Sequence, residues 1–369
     1  MYNGLCFEHF LNHQTSFMVI MQMCRLTKQF NHDTIDTEVI QMKIGTIGTG
    51  FIVEWFLTAV EHNENCECLA VFSRKEETGR ALADKFNVKK VYTDFEEMLK
   101  DEEIDFIYIA SPNSLHYSYA LKALEAGKNV IGEKPFTSNV RECQELIRLA
   151  KEKHLFLFEA ITTIHLPNFK RLKEKIGELG PLKMVQCNFS QYSRKYDQFL
   201  AGESPNVFTT KFSGGALMDI NVYNTNFIMG LFGKPKKINY FANLAHNGID
   251  TSGVLIFTYD GFYAEAVGCK DTKSHNMAQI QGEKGYMLIE GETSRCRQVE
   301  IHLNDREEVE IINDQEDITA LYYEMKDFLK IVEAKDYDAC YKLLDYSLSV
   351  CEVMEAARKD AGIVFDADK

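Results

Sequence analysis

From Met42 onward, short apolar runs alternate with stretches of helical period. Met42–Ile47 is a compact strand pattern that runs into glycines, and Ile52–His62 then spaces its apolar residues as a helix does. Leu69–Phe72 predicts a short buried strand, Glu76–Phe86 a charged helix, Val91–Tyr92 a brief strand and Phe95–Lys100 a further helix. Phe106–Ala110 predicts a strand, Ser114–Ala126 a helix closed by Gly127 in the C′ position, and Asn129–Ile131 a strand. Near-continuous apolar strands separated by helices are the signature of a parallel sheet covered on both faces, because the crossovers bury both sides of each strand. Residues 1–41 show neither period, and the pattern predicts an N-terminal extension of weak order there.

Beyond about residue 160 the texture changes. Strand-like runs follow one another without intervening helices: Met184–Phe189, Ile238–Asn243, Gly253–Thr258, Phe262–Val267, Met277–Gln281, Tyr286–Ile289 and Val299–His302. Glycine, Asp and Asn between them suit antiparallel hairpins. Helical period returns over Thr319–Ala334 and Tyr341–Asp360. The chain therefore predicts a Rossmann-type doubly wound α/β domain over 42–160. An α+β domain over 161–369 follows, with an open, predominantly antiparallel sheet and helices on one face. A length of 369 residues accords with two cores rather than one.

Charge narrows the partners. Forty-one Lys and Arg face 55 Asp and Glu, a net charge of −14. Without a long basic run, such a surface repels phosphate backbones and disfavours nucleic acid. No apolar run reaches the ~18 residues that span a bilayer, and Ser16–Cys24 is short and lacks basic residues before it, as a signal peptide would need. Ten cysteines are scattered; Cys66 and Cys68, placed just ahead of the second strand, have no further ligands at metal-site spacing, so no metal is expected. Unpaired thiols in a chain this size suit a reducing, cytoplasmic setting.

Candidate chemistry begins at the first strand–helix turn, Gly45-Thr-Ile-Gly48-Thr-Gly50-Phe51-Ile52-Val53. Gly48 and Gly50 let the backbone turn tightly against a pyrophosphate, while the helix opening at Phe51 and Ile52 offers free N–H groups and a partial positive charge. The third small residue of that fingerprint is Val53, so the pattern is incomplete. At the end of the second strand, Ser73-Arg74-Lys75 stands where an acidic residue would hold a ribose diol; a hydroxyl and two cations favour a 2′-phosphate, hence NADP over NAD. The strand ending at Ile109 leads to Ser111-Pro112-Asn113-Ser-Leu-His116, and the next strand to Gly132-Glu133-Lys134-Pro135. Lys134 lies at the carboxyl end of a strand, beside the ligand crevice of a doubly wound sheet, and precedes a proline whose peptide bond is a candidate for the cis form. In the second domain, Ser213-Gly-Gly215-Ala-Leu-Met-Asp219-Ile-Asn221-Val-Tyr223 places an Asp and a Tyr four residues apart on one face of an apolar helix, where they need partners or line a cleft.

These segments resemble the glucose–fructose oxidoreductase, inositol dehydrogenase and rhizopine-catabolism family (Gfo/Idh/MocA) from Lys43 to about Asp366. That family carries a "TPN…H…A…AL.AGK.V..EKP" stretch and a "GGGAL.D.G.Y/H" stretch at these positions. The resemblance implies that Asn113 and His116 line the cofactor site and that Tyr223 is a general acid/base with Asp219 and Lys134 beside it. Ser213 and Asn221 depart from glycines of the pattern, and Asn221 is expected at the pocket edge. Glu159-Ala160 resembles the dihydrodiol- and xylose-dehydrogenase-like branch. Glu159, His165 and Tyr192 are weaker candidates for substrate contact.

The sequence thus predicts an NAD(P)-dependent dehydrogenase or reductase that moves a hydride between NADP (NAD being the alternative) and a secondary alcohol or carbonyl of a sugar-like or diol substrate. The open sheet suggests a homodimer or homotetramer. Two rival readings stand beside it: a redox-neutral enzyme that oxidises a sugar transiently on NAD and eliminates a group, and a non-catalytic NADPH sensor.

Overall fold

The structure is a computed structural model that describes residues Gln41–Lys369, so the expectation of weak order in the N-terminal extension falls outside the described residues. Two sheets organise the rest. In the first, β1 (Met42–Ile47), β2 (Cys66–Phe72), β3 (Lys90–Tyr92), β4 (Phe106–Ile109), β5 (Asn129–Glu133) and β6 (Leu157–Ala160) lie all parallel in the order β3-β2-β1-β4-β5-β6. The order reverses between β1 and β4, which opens a crevice at their carboxyl ends. The crossovers are α1 (Phe51–Glu61), α2 (Glu76–Lys85), α3 (Phe95–Leu99), α4 (His116–Glu125) and α5 (Val140–Lys153). Burial on both faces explains the unbroken apolar runs of β4 (FIYI, every residue buried) and most of β1. Cys66 and Cys68 are not ahead of β2 but inside it, as free thiols.

The second sheet has eight strands: β7 (Leu182–Ser190), β8 (Lys237–Leu244), β9 (Asp250–Thr258), β10 (Tyr263–Cys269), β11 (Met277–Gly282), β12 (Gly285–Glu290), β13 (Val299–Leu303) and β14 (Glu310–Ile312). Their order is β14-β13-β12-β11-β7-β10-β9-β8, antiparallel throughout except for the parallel pair β7–β10. Alternating burial along β7 and β10 marks one packed and one open face. The expectation of strands without intervening helices is corrected here. A short helix α7 (Arg194–Leu200), a π-helical turn (Leu217–Asn221) and α8 (Val222–Phe232) separate β7 from β8, and it is this connection that covers the sheet's core face. The preceding helix is α6 (Pro167–Lys175), and α9 (Ala320–Glu333) and α10 (Tyr337–Asp360) end the chain.

Helix α10 joins the two halves. Its Leu344 belongs to the core of the parallel sheet, while Val350, Val353, Met354 and Ala357 belong to the core of the second sheet. Past its end, Asp368 accepts from both terminal guanidinium nitrogens of the buried Arg358 at 2.6 Å each. Arg358 also reaches Ser138 O, and Asn139 Nδ2 donates to Ala367 O at 3.0 Å. The final residues thereby strap the segment that follows β5. No helix among the described residues is long and apolar enough to cross a membrane.

Candidate active site

The crevice at the switch point is a cleft of about 740 Å³ lined by Gly48, Thr49, Ser73, Arg74, Lys75, Ser111 and Pro112, among others. Gly48 has a φ of +109°, and a Cβ there would come within 2.6 Å of Ala110 O, so only glycine permits this approach of β1 to β4. Gly50 caps α1 without any side-chain hydrogen bond and faces open space. The free N–H groups of the helix opening therefore face outward, beside the exposed Phe51. Ser73 is itself buried, its Oγ 2.7 Å from Thr78 Oγ1. Arg74 and Lys75 are the exposed cations beside it. Glycine cradle, uncapped helix and flanking cations fit a dinucleotide with its phosphates over α1.

A second cleft of about 490 Å³ continues on the other side of the α1 opening. Ile52 and Trp55 line it from α1, Glu133 from β5, Tyr223 from α8, and Arg295 and Arg297 from the loop after β12. Lys134 follows Glu133 directly, and the Lys134–Pro135 bond is cis. Its Nζ donates to the backbone O of Asp219 at 2.9 Å, lies 3.5 Å from Asp219 Oδ1, and sits 4.8 Å from the centre of the Tyr223 ring. The three residues singled out from sequence, Lys134, Asp219 and Tyr223, thus meet across the interface of the two sheets. Asp219 lies in the π-helical turn rather than in an α-helix, so the simple four-residue spacing does not describe it. Such turns recur at functional sites because they break the regular hydrogen-bond ladder. Here the carbonyl of Asp219 is on Lys134.

Asp219 has a second partner that sequence reasoning missed. Lys270, just past β10 and buried, places its Nζ against Asp219 Oδ2. Burial alone would raise the Asp219 carboxyl, but the two flanking ammoniums outweigh it and hold the group well below the usual carboxylate range. Burial lowers Lys134, yet Tyr223, Asp219 and Glu133 outweigh it and keep the ammonium charged. For Tyr223, burial comes first and raises the phenol; Lys134 pulls it down, while Glu133 and Asp219 push it up. Lys134 by itself acts in the direction that favours the phenolate. The net result is nevertheless a neutral phenol, because burial and two carboxylates oppose one ammonium.

Glu133 is buried, accepting from Tyr108 OH at 2.5 Å. Asn113 donates to Ser213 O at 2.9 Å, tying the end of β4 to the glycine-rich turn of the second domain. His116 is buried with Nδ1 against Pro135 O and Nε2 against Ser111 O, so it braces the loops behind the first cleft instead of facing it. Ser213 holds a positive φ of 52° and bonds Ser138 Oγ through its hydroxyl at 2.7 Å. Asn221 is not at a pocket edge: it is fully buried and donates to Ala266 O of β10 at 2.9 Å. Glu159, His165 and Tyr192 stand off both clefts. Glu159 accepts from Phe136 N at 3.1 Å on the far side of β6, His165 is buried against Asp327 at 2.7 Å, and exposed Tyr192 donates to Asp197 at 2.6 Å. Lys270 and the arginine pair carried little signal, since a lysine after a strand and arginines in a loop usually face solvent. Among the described residues no group of His, Cys, Asp and Glu could hold a metal ion.

Comparison with known proteins bears on this arrangement. Residues 42–161 match a family described as an oxidoreductase family with an NAD-binding Rossmann fold, and residues 169–288 match the GFO/IDH/MocA C-terminal domain. The chain is 36% identical over 328 residues to scyllo-inositol 2-dehydrogenase (NADP(+)) of Bacillus subtilis, covering 89% of this chain and 99% of that one. It is 27% identical over 345 residues to trans-1,2-dihydrobenzene-1,2-diol dehydrogenase of Mus musculus, at 89% and 99% coverage. Among solved structures, a 3-ketoreductase of Actinomadura kijaniata bound to NADP superimposes with a TM-score of 0.74 at 20% identity, covering 86% of this chain and 97% of that one, a likeness of fold.

Proposed function

Because the chain belongs to the Gfo/Idh/MocA oxidoreductase family, we propose that it is an NADP-dependent dehydrogenase or reductase acting on a secondary alcohol or carbonyl of a cyclic polyol, sugar-like or diol substrate. The observation that carries this reading is the meeting of Lys134, Asp219 and Tyr223, with Tyr223 lining the second cleft. Bound there, the nicotinamide would donate or accept the hydride. Everything else falls to the protein. Gly48, Gly50 and the opening turn of α1 would hold the phosphates, and Arg74 with Lys75 would take the 2′-phosphate. Ser111, Pro112 and Glu133 would shape the walls.

Tyr223 would move the substrate's hydroxyl proton. In its resting state it is a neutral phenol, poised to protonate a developing alkoxide during reduction. In the reverse direction it would take the proton with Lys134 in place to stabilise its oxygen. Asp219 would hold Lys134 through its backbone carbonyl and offer an acceptor to a neighbouring substrate hydroxyl. The reading extends to a cytoplasmic homodimer or homotetramer that covers the open sheet face, where Phe241 and Tyr263 are 66% and 55% exposed.

The test is the Y223F variant, assayed for NADP+ reduction with scyllo-inositol alongside NADPH binding by fluorescence. Turnover should fall by on the order of 10² to 10⁴, with the NADPH Kd within about twofold of the parent. Full activity in Y223F would remove the tyrosine from the reaction, and failure of the parent to bind NADPH would remove the cofactor assignment.

A further inference from the structure

Two buried ammoniums share one carboxylate in this site, and they share it unequally. Lys270 Nζ is in close contact with Asp219 Oδ2, whereas Lys134 Nζ stands 3.5 Å from Oδ1 and takes its short bond, 2.9 Å, from the backbone carbonyl of the same residue. Both lysine side chains are nearly buried, at 13% and 8% exposure, while that of Asp219 is 31% exposed. Lys270 has no other acceptor among its hydrogen bonds in the described residues, and its own backbone N–H is fixed on Thr251 O at 2.8 Å, one strand over. A buried ammonium without a partner is costly, so Lys270 is committed to Asp219.

The consequence concerns Lys134. A carboxylate free of other partners draws a neighbouring ammonium into a direct charge-assisted bond at about 2.8 Å. Such a pair would turn the ammonium toward Oδ1 and cancel much of its field where it is needed, over Tyr223. With Oδ2 already occupied, Asp219 holds Lys134 by a neutral carbonyl and leaves its charge directed at the tyrosine ring 4.8 Å away. We infer that Lys270 is a positioning residue: it anchors the Asp219 carboxylate so that the Lys134–Asp219 ion pair stays long, at 3.5 Å, and Lys134 remains directed at Tyr223. The inference rests on the proposed acid/base roles of Lys134 and Tyr223.

The test replaces Lys270 with Met, Gln and Arg in the full chain. In a crystal structure of K270M or K270Q, the Lys134 Nζ to Asp219 Oδ1 distance should close from 3.5 Å to about 2.8 Å. In K270R, whose guanidinium can hold Oδ2 in the same way, it should stay open. Turnover of scyllo-inositol with NADP+ should drop on the order of a hundredfold in K270M at an unchanged NADPH Kd, and K270R should recover most of it. Since Lys270 acts only through Asp219, adding K270M to D219N should cost nothing further. An unchanged Lys134–Asp219 distance in both K270M and K270Q overturns the inference. So does a K270M/D219N double variant weaker than D219N by the full K270M factor. Should the parent bind no NADPH, or bind it and fail to oxidise the inositol, the cofactor or substrate reading fails by itself, while the distance in the variants still decides the role of Lys270.

Discussion

Asn221 and Gly268 form an interdependent pair. Asn221 ends the π-helical turn, two residues past Asp219, and packs with no exposed surface against β10. Its amide donates to Ala266 O at 2.9 Å and its Oδ1 accepts from Asn224 Nδ2 at 3.0 Å. Directly opposite is Gly268, where a Cβ would lie 2.6 Å from Asn221 Cβ, 2.8 Å from its Cγ and 3.3 Å from its Cα. G268A alone should therefore cost about 2–3 kcal/mol, the range for forcing atoms into a packed core. N221G alone removes two hydrogen bonds, each worth ~0.5–1.5 kcal/mol net, and adds a few tenths for glycine in a helix, about 2 kcal/mol in all. Together the losses should not add. With the Asn221 side chain gone, the two tightest contacts of the new methyl vanish and only the 3.3 Å approach to the Cα remains. The double variant should then recover ~1.5–2 kcal/mol relative to the sum, within the range for residues in contact. Urea unfolding of the four proteins, compared at equal slopes, measures this coupling. Additivity within ~0.5 kcal/mol would refute the claim that this contact sets the spacing between β10 and the turn bearing Asp219.

Two further outcomes follow from the same structure. Burial pushes Glu159 from its ordinary 4.5 up to about 7, and its Oε2 has no hydrogen-bond partner. Its raised folded pKa costs nothing below about 4.5, where both states are protonated, and the full ~3 kcal/mol above 7, where both are ionised. E159Q, which keeps an acceptor for Phe136 N, should thus gain several degrees of Tm over the parent at pH 8 and little at pH 4.5; an equal gain at both pH values would contradict the assignment. R74A should weaken NADPH binding about tenfold and leave NADH unchanged, as fluorescence titration would read, and equal losses for both cofactors would place the 2′-phosphate elsewhere.

The parallel domain was legible because its information is local. Continuous apolar runs, helical periods and the glycine turn each sit within a few residues, and β1, α1 and β4 fall within a residue or two of their predicted limits. The meeting of Lys134, Asp219 and Tyr223 was legible only as a set of residue types, since nothing in spacing tells that segments 85 residues apart converge. What escaped was non-local or irregular. The parallel pairing of β7 with β10 depends on a crossover that passes over two helices and two strands. The π-helical turn has no pattern distinct from an apolar helix. Lys270 reads like any lysine after a strand until the fold buries it against Asp219. Asn221 reads as a pocket residue only while the small side chains of β10, which receive it, are unknown.

The division of the site between the two sheets has an evolutionary edge. Lys134 arrives with the dinucleotide fold, whereas Asp219, Tyr223 and Lys270 arrive with the second sheet. A lineage could exchange the second sheet's loops and acquire new substrates while inheriting its cofactor grip unaltered. A chimaera built by cutting near residue 161 faces a stricter condition. It must bring its own α10, Arg358 and Asp368, because the segment that carries Lys134 into place is fastened by the last residues of the opposite half.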